Sequence, residues 1–104
     1  MEVLWTDIDY MDRYIDFSID KPRYPDFAKF VDETLHPHNV HFVPIIDAGV
    51  SANRTDDPIF FEGLKMHAYF TSGYNNKLFI GDVWPGNATF VNFLPETGGD
   101  KFWR

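Results

Sequence analysis

The sequence predicts an α/β fold in which one strand–helix–strand unit precedes a longer, irregular region. Two short apolar runs, at 3–6 and 41–46, are each followed by an aspartate, and an amphipathic helical pattern lies between them. A strand–helix–strand connection implies parallel strands joined by a right-handed crossover. A chain of 104 residues is long enough for one small domain and too short for two ordinary cores.

Charge and composition exclude several classes of protein. Nine Lys and Arg against sixteen Asp and Glu give a net charge of −7, which argues against nucleic acid and anionic membrane because phosphate groups bind clustered cations. The chain has no cysteine, so disulfides, thiolate metal sites and a cysteine nucleophile are excluded. Aromatic residues make up 18% of the chain, which predicts a thick aromatic core or an aromatic-lined pocket.

The ends of the chain predict a segment of a longer protein. No run reaches the ~20 apolar residues of a membrane-spanning helix. No basic-then-apolar leader opens the chain, so no signal peptide is expected in it. The first residues read as the inside of a strand, and the last four (KFWR) stop among aromatic side chains. The alternative is a compact domain with tidy termini.

The first unit is expected to span residues 1–47. Its β-prone start is VLWT at 3–6. A helix is expected from Pro25 to Pro37, because proline suits the first helical position and disfavours helical backbone in the residue before it. The apolar side chains of this helix form one stripe: Phe27, Phe30, Val31 and Leu35. The nearly all-apolar run 41–46 predicts a strand buried on both faces.

The remaining residues, 48–104, are expected to form an excursion and not a second crossover. The stretch 48–57 is loop-like, and 58–67 predicts a short helical turn. A strand is expected at 78–84, followed by a turn at Pro85-Gly86 and an extended segment at 90–93.

Two aspartates follow the predicted parallel strands. Asp7 and Asp47 are expected at the carboxyl ends of the strands, where ligands bind in parallel α/β folds. Asp7 also opens an acidic run at 7–12 that lacks the glycine and terminal Glu of a calcium loop. Such a carboxylate could accept hydrogen bonds from sugar hydroxyls. The competing interpretation is a solvated acidic loop whose carboxylates satisfy nearby amides.

Other candidate residues have simpler explanations. The imidazoles of His36, His38 and His41 resemble a zinc set, but histidines near a helix end are also favoured by the helix dipole. We therefore expect no metal site. Trp84 precedes a tight turn and is expected in the core or as an apolar wall against a sugar ring. Glycosylation acceptor patterns begin at Asn53 and Asn87.

Several spaced motifs resemble glycoside hydrolase family 31, and within it the acid α-glucosidase, maltase-glucoamylase and sucrase-isomaltase group. They are LWTDIDYMD at 4–12, the strand ending in Ile-x-Asp at 45–47, FEGL at 61–64, GDVWPG at 81–86 and FVNF at 90–93. The likeness runs nearly the whole chain in one order. It departs from the family at Ala48-Gly49, at Asp82 and at Asn92, which leaves substrate preference open.

The resemblance implies a segment of a (β/α)₈ TIM barrel in a retaining α-glucosidase. It implies that residues 1–47 are the second strand, its helix and the third strand, and that 48–104 is the following insertion. The residues that match sugar contacts in the family are Asp7, Ile8, Ile45 and Trp84. Asp9 and Asp47 are expected to support these contacts without touching the sugar.

The family's catalytic residues are expected to lie outside this chain. Its nucleophile belongs to a Trp-x-Asp-Met-Asn-Glu motif that is missing here, and its acid/base is missing too, so the isolated chain is expected to be inactive. The resemblance implies an α-glucoside substrate, no cofactor, the remainder of the barrel as partner, and a secretory, lysosomal or extracellular location. The alternatives are a small carbohydrate-binding domain without catalysis and a truncated reading frame without independent function.

Overall fold

The computed structural model describes residues 1–53, 57–94 and 96–104. These residues form two compact units, Met1–Ile46 and Asp47–Arg104. The first unit contains a parallel pair of strands, and the second contains an antiparallel sheet of three strands. No helix among the described residues is long and apolar enough to cross a lipid bilayer.

The first unit is built on two parallel strands, as the sequence predicts. Strand β1 (Val3–Thr6) pairs with β2 (His41–Pro44) so that Val3 lies opposite His41. The backbone N–H of Ile45 donates to the carbonyl of Thr6 at 3.0 Å and extends this ladder beyond β2. The carboxyl ends of both strands therefore lie at one edge, and His41 lies at the opposite edge.

The crossover between these strands is helical, but its helical stretch begins at Phe27 and ends at His38, later at both ends than predicted. It consists of helix α1 (Phe27–Phe30), a π-helical turn (Val31–Leu35) and a 3-10 turn (His36–His38). The prediction that Pro37 ends the helix is wrong, because His36 before it keeps helical angles of φ −60° and ψ −42°. Proline is tolerated at the start of the 3-10 turn, where its missing N–H is not needed. The segment ends instead at Asn39, which is left-handed at φ 56°.

The parallel pair is covered on one face by the crossover. Phe42 meets Phe27 edge to face with ring centroids 5.3 Å apart, and Leu35 is buried. On the other face Trp5 and Val43 lie opposite each other, 58% and 44% exposed. The prediction of a second strand buried on both faces is therefore wrong for this chain. Phe30, which the predicted helical stripe includes, is also exposed.

The second unit combines an antiparallel sheet with two helices. Its elements are β3 (Gly49–Ser51), helix α2 (Pro58–Lys65), β4 (Ile80–Val83), β5 (Gly86–Phe90) and helix α3 (Gly99–Trp103). Strand β5 is central and pairs with both β3 and β4. Its apolar core contains Val50, Tyr69 and Val91 with six partly buried neighbours: Ile59, Phe60, Leu64, Leu78, Phe102 and Trp103.

Three details of this unit differ from the sequence prediction. Strand β3 falls in the stretch 48–57 that was predicted as a loop, because its pairing with β5 is long-range and leaves no local signal. The hairpin turn is Trp84-Pro85 and not Pro85-Gly86, since Gly86 already belongs to β5. Helix α3 was not predicted. The predicted helical turn after position 58 is confirmed as α2, whose first turn is capped by Asp57.

Candidate functional site

The edge where β1 and β2 end brings three predicted site residues together. Ile45 is held through both of its backbone polar groups: its N–H donates to the Thr6 carbonyl at 3.0 Å, and its carbonyl accepts from Tyr10 Oη at 2.8 Å. Thr6 and Tyr10 lie on either side of Asp7 and Ile8 in sequence. These two bonds therefore hold Ile45 beside the segment that carries Asp7 and Ile8.

The Asp7 carboxylate is exposed at this edge. Asp7 caps a 3-10 turn at Ile8–Tyr10, and its Oδ1 accepts the N–H of Ile8 at 2.8 Å. Within the described part of the chain, its Oδ2 has no hydrogen-bond partner. One oxygen is thus held by the backbone, while the other has no such bond among the described residues. Carboxylates in this arrangement can accept hydrogen bonds from a polar ligand.

Tyr10 supports the edge from beneath, a role that sequence analysis missed. Its ring is buried and stacks on Phe27 with centroids 5.6 Å apart. Burial raises the pKa of the Tyr10 hydroxyl, and the nearby negative charge of Asp16 raises it further. The hydroxyl therefore stays protonated and donates to Ile45. Its only signal in the sequence is its place within the 4–12 motif.

Two carboxylates that follow Asp7 in the sequence form local ion pairs. Asp12 pairs with Arg13 at 3.1 Å, and Asp20 lies 3.7 Å from Arg23. Both pairs are solvent-exposed to a degree that makes them weak. Asp9 is exposed, and the described residues offer it no hydrogen bond. The predicted supporting role of Asp9 stays a prediction.

The second unit holds the remaining two predicted site residues. The half-buried Asp47 carboxylate accepts the N–H of Ala48 at 2.8 Å, so it orders the backbone that leads into β3. Trp84 lies in the two-residue turn between β4 and β5 and is 47% exposed. The neighbouring carbonyl of Pro85 accepts a hydrogen bond from Asn53 Nδ2 at 2.9 Å. In the sequence, Asn53 is marked only by its glycosylation acceptor pattern.

Two of the three histidines have local partners, and the third, His41, is exposed on β2 opposite Val3. His36 Nδ1 lies 3.3 Å from Asp32 Oδ1, and His38 Nδ1 lies 2.7 Å from the Thr34 carbonyl. No group of three or more His, Cys, Asp or Glu side chains with metal-binding geometry occurs among the residues that the structure describes.

The two glycosylation patterns differ in their surroundings. The pattern that begins at Asn53 continues into residues 54–56, which lie outside the described part of the chain. Asn87 is exposed on β5, while Thr89, the third residue of its pattern, is fully buried.

Comparison with known proteins identifies the family. The model of the glycosyl hydrolases family 31 TIM-barrel domain matches residues 1–104. The chain belongs to glycoside hydrolase family 31. It is 41% identical to a probable alpha-glucosidase of Oryza sativa subsp. japonica over 99% of its length. It is 38% identical to an alpha-glucosidase of Schizosaccharomyces pombe over its whole length. The family predicted from the motifs is therefore confirmed.

Solved structures of family 31 enzymes share the fold of this chain. An ER glucosidase II heterodimer of catalytic subunit and the binding domain of the regulatory subunit superposes with a TM-score of 0.85 at 26% identity over 98% of the chain. A family 31 alpha-glucosidase of Bacteroides thetaiotaomicron gives a TM-score of 0.76 at 29% identity over 98% of the chain.

The chain spans only a small part of these relatives. It covers 11% of the Oryza and Schizosaccharomyces proteins and 11% of the glucosidase II chain. The TIM-barrel domain family is thus confirmed, but the described residues do not form a closed barrel. Their two sheets contain two and three strands.

Proposed function

We propose that this chain is a segment of a retaining α-glucosidase that forms part of the wall around the terminal glucose of the substrate. Residues 1–47 contribute the second strand, its helix and the third strand of the barrel, and 48–104 contribute the insertion that follows. The enzyme removes terminal α-linked glucose from oligosaccharides in the secretory pathway, in lysosomes or outside the cell. The names of its relatives, which are alpha-glucosidases and ER glucosidase II, support this proposal.

The juxtaposition of Asp7, Ile8 and Ile45 at one strand edge carries the proposal. Ile8 and Ile45 are half-exposed, backbone bonds hold Ile45 beside the segment that carries Asp7, and the Asp7 residue is exposed. An ionised carboxylate accepts two sugar hydroxyls in charge-assisted bonds, while the adjacent aliphatic groups pack against the C–H face of the ring. We assign Trp84 to sugar binding as well, because it matches the aromatic wall of the family's glucose pocket.

The chemistry of bond cleavage belongs to residues outside this chain. A retaining glycosidase needs two carboxyl groups about 5–5.5 Å apart, one as nucleophile and one as acid and base. Neither of the family's motifs for them occurs in the sequence. We propose that this segment binds and orients the glucose while the remainder of the barrel supplies both catalytic groups. No cofactor takes part.

A segment exchange tests the proposal. In the hybrid enzyme, residues 1–104 of this chain replace the aligned segment of the Oryza alpha-glucosidase. We expect the hybrid enzyme to release glucose from maltose, because residues 1–104 supply the sugar contacts of the segment that they replace, and the rest of the barrel supplies the others. A hybrid enzyme that folds but does not hydrolyse maltose would contradict the proposal.

The isolated chain separates the proposal from its main alternative. Calorimetry with maltose is expected to show no saturable binding by the 104-residue chain, because the rest of the sugar pocket is missing. Saturable binding that is lost in Asp7→Asn would favour a carbohydrate-binding domain instead.

A further inference from the structure

The Asn53 side chain is bound to the turn that carries Trp84. Its Nδ2 donates to the carbonyl of Pro85 at 2.9 Å across 32 residues of sequence. Pro85 and Trp84 are the two residues of the turn between β4 and β5. Since Asn53 follows β3 and the turn joins β4 to β5, this bond ties the turn to the segment that leaves the far edge strand of the sheet.

The backbone after the turn leaves room for this side chain. Gly86 has φ +87°, a left-handed conformation that glycine adopts without strain. A Cβ built at Gly86 would lie 2.8 Å from Asn53 Nδ2. The Asn53 amide therefore fills the space that any larger residue at position 86 would need.

The Trp84 ring is not held in place by other rings. It is 47% exposed, and no ring contact to Trp84 is found among the described residues. The backbone of the turn sets the point from which the indole projects. That backbone is fixed by the β4–β5 ladder on one side and by the Asn53 bond on the other.

We propose that Asn53 is a positioning residue, which acts through the Pro85 carbonyl to hold Trp84 against the sugar. This inference rests on the proposed function, because it takes Trp84 as the wall of the glucose pocket. Asn53 acts through its own amide, and a glycan on Asn53 is not required. The first residue of an acceptor pattern thus has a use of its own in the fold.

Three substitutions separate this role from its alternatives. Asn53→Asp keeps the size of the side chain but replaces the donor with an oxygen that the Pro85 carbonyl repels. Thr55→Ala removes the acceptor pattern without changing Asn53. Asn87→Asp is the matched control, because Asn87 is an exposed asparagine on β5 near the same turn, and its side chain has no hydrogen-bond partner among the described residues.

In the hybrid enzyme, Asn53→Asp is expected to raise KM for maltose about three- to tenfold, which corresponds to the free energy of one hydrogen bond. The value of kcat is expected to change less than twofold. KM is expected to change more than kcat because the Trp84 side chain would contact the glucose ring equally in the ground state and in the transition state. Thr55→Ala and Asn87→Asp are expected to leave both constants unchanged. An unchanged KM in Asn53→Asp, a fall in kcat alone, or the same effect in Thr55→Ala would each overturn the proposal.

A second measurement uses the 104-residue chain and does not depend on activity. The indole N–H signal of Trp84 is assigned in an NMR spectrum as the signal that is missing from the spectrum of Trp84→Phe. It is expected to shift in Asn53→Asp and to stay in place in Asn87→Asp. An unshifted Trp84 signal in Asn53→Asp would overturn the positioning role. If the hybrid enzyme is inactive but the signal shifts, the proposed function fails while the link between Asn53 and Trp84 stands.

Discussion

Gly63 in helix α2 offers a test in which two physical effects oppose each other. Alanine favours a helix interior over glycine by about 1 kcal/mol. A Cβ at Gly63 would, however, lie 2.2 Å from both Cζ and Oη of Tyr69. The ring of Tyr69 is 5% exposed and stacks on Phe60 with centroids 5.9 Å apart. It therefore has no free direction in which to move.

The cost of Gly63→Ala follows from these contacts. Overpacking a filled core costs about 1–3 kcal/mol. A displaced Tyr69 also loses its hydroxyl bonds to the carbonyls of Ile59 and Phe60, both 3.3 Å long, which are worth about 1 kcal/mol. Weakened stacking adds about 0.5–1.5 kcal/mol. Since the helical gain offsets only part of this, we expect a net loss of about 3 kcal/mol in the free energy of unfolding.

Urea unfolding followed by circular dichroism measures this loss directly. The control is Gly73→Ala, because a Cβ at Gly73 meets no atom within 4 Å, and its free energy of unfolding is expected to stay within about 0.5 kcal/mol of the parent value. If Gly63→Ala proves as stable as the parent chain or more so, helix propensity outweighs the clash and the packing argument fails.

Three further predictions concern tyrosines and activity. Tyr10→Phe is expected to lower the free energy of unfolding by about 1 kcal/mol, because the hydrogen bond to the Ile45 carbonyl is lost. Tyr24→Phe is expected to leave that free energy unchanged, because the Tyr24 hydroxyl has no partner among the described residues. Equal urea midpoints for the two variants would contradict this. Burial, and then the charge of Asp57, raises the pKa of Tyr69 well above its ordinary value. Unfolded tyrosines therefore lose their protons first, and stability is expected to fall above about pH 10 by up to ~1.4 kcal/mol per pH unit per tyrosine; a urea series at rising pH should show a shallower fall in Tyr69→Phe than in the parent. Finally, the isolated chain is expected to release no glucose from maltose in a coupled assay, and measurable release would show that a catalytic pair lies within it.

The sequence was most informative where the signal is local. The β-prone run at 3–6 and the helix after Asp57 are both present. Prediction from local sequence failed where contacts with distant or neighbouring segments determine the backbone conformation. His36 stays helical before Pro37 because a 3-10 turn begins there, and β3 exists because residues far along the chain pair with it. No pattern within 48–57 could reveal that partner.

The candidate site was predicted by resemblance more than by pattern. The motif at 4–12 and the Ile-x-Asp strand end identified Asp7, Ile8 and Ile45, and the parallel ladder explains why they meet. Two hydrogen bonds near the candidate residues escaped prediction. The side chains of Tyr10 and Asn53 donate to backbone carbonyls 35 and 32 residues away. Such bonds depend on the tertiary fold, and the residue types alone carry no sign of them.

The Asp7 carboxylate is the centre of this account, and one comparison tests it most directly. The kcat/KM of the hybrid enzyme for maltose is measured with Asp7, with Asp7→Asn and with Asp26→Asn, an exposed aspartate whose side chain makes no capping bond. Charge-assisted bonds to a sugar are worth about 1.5–3 kcal/mol, so Asp7→Asn is expected to lower kcat/KM by roughly 10- to 150-fold while Asp26→Asn leaves it unchanged. Equal values for all three proteins would show that Asp7 does not bind the substrate.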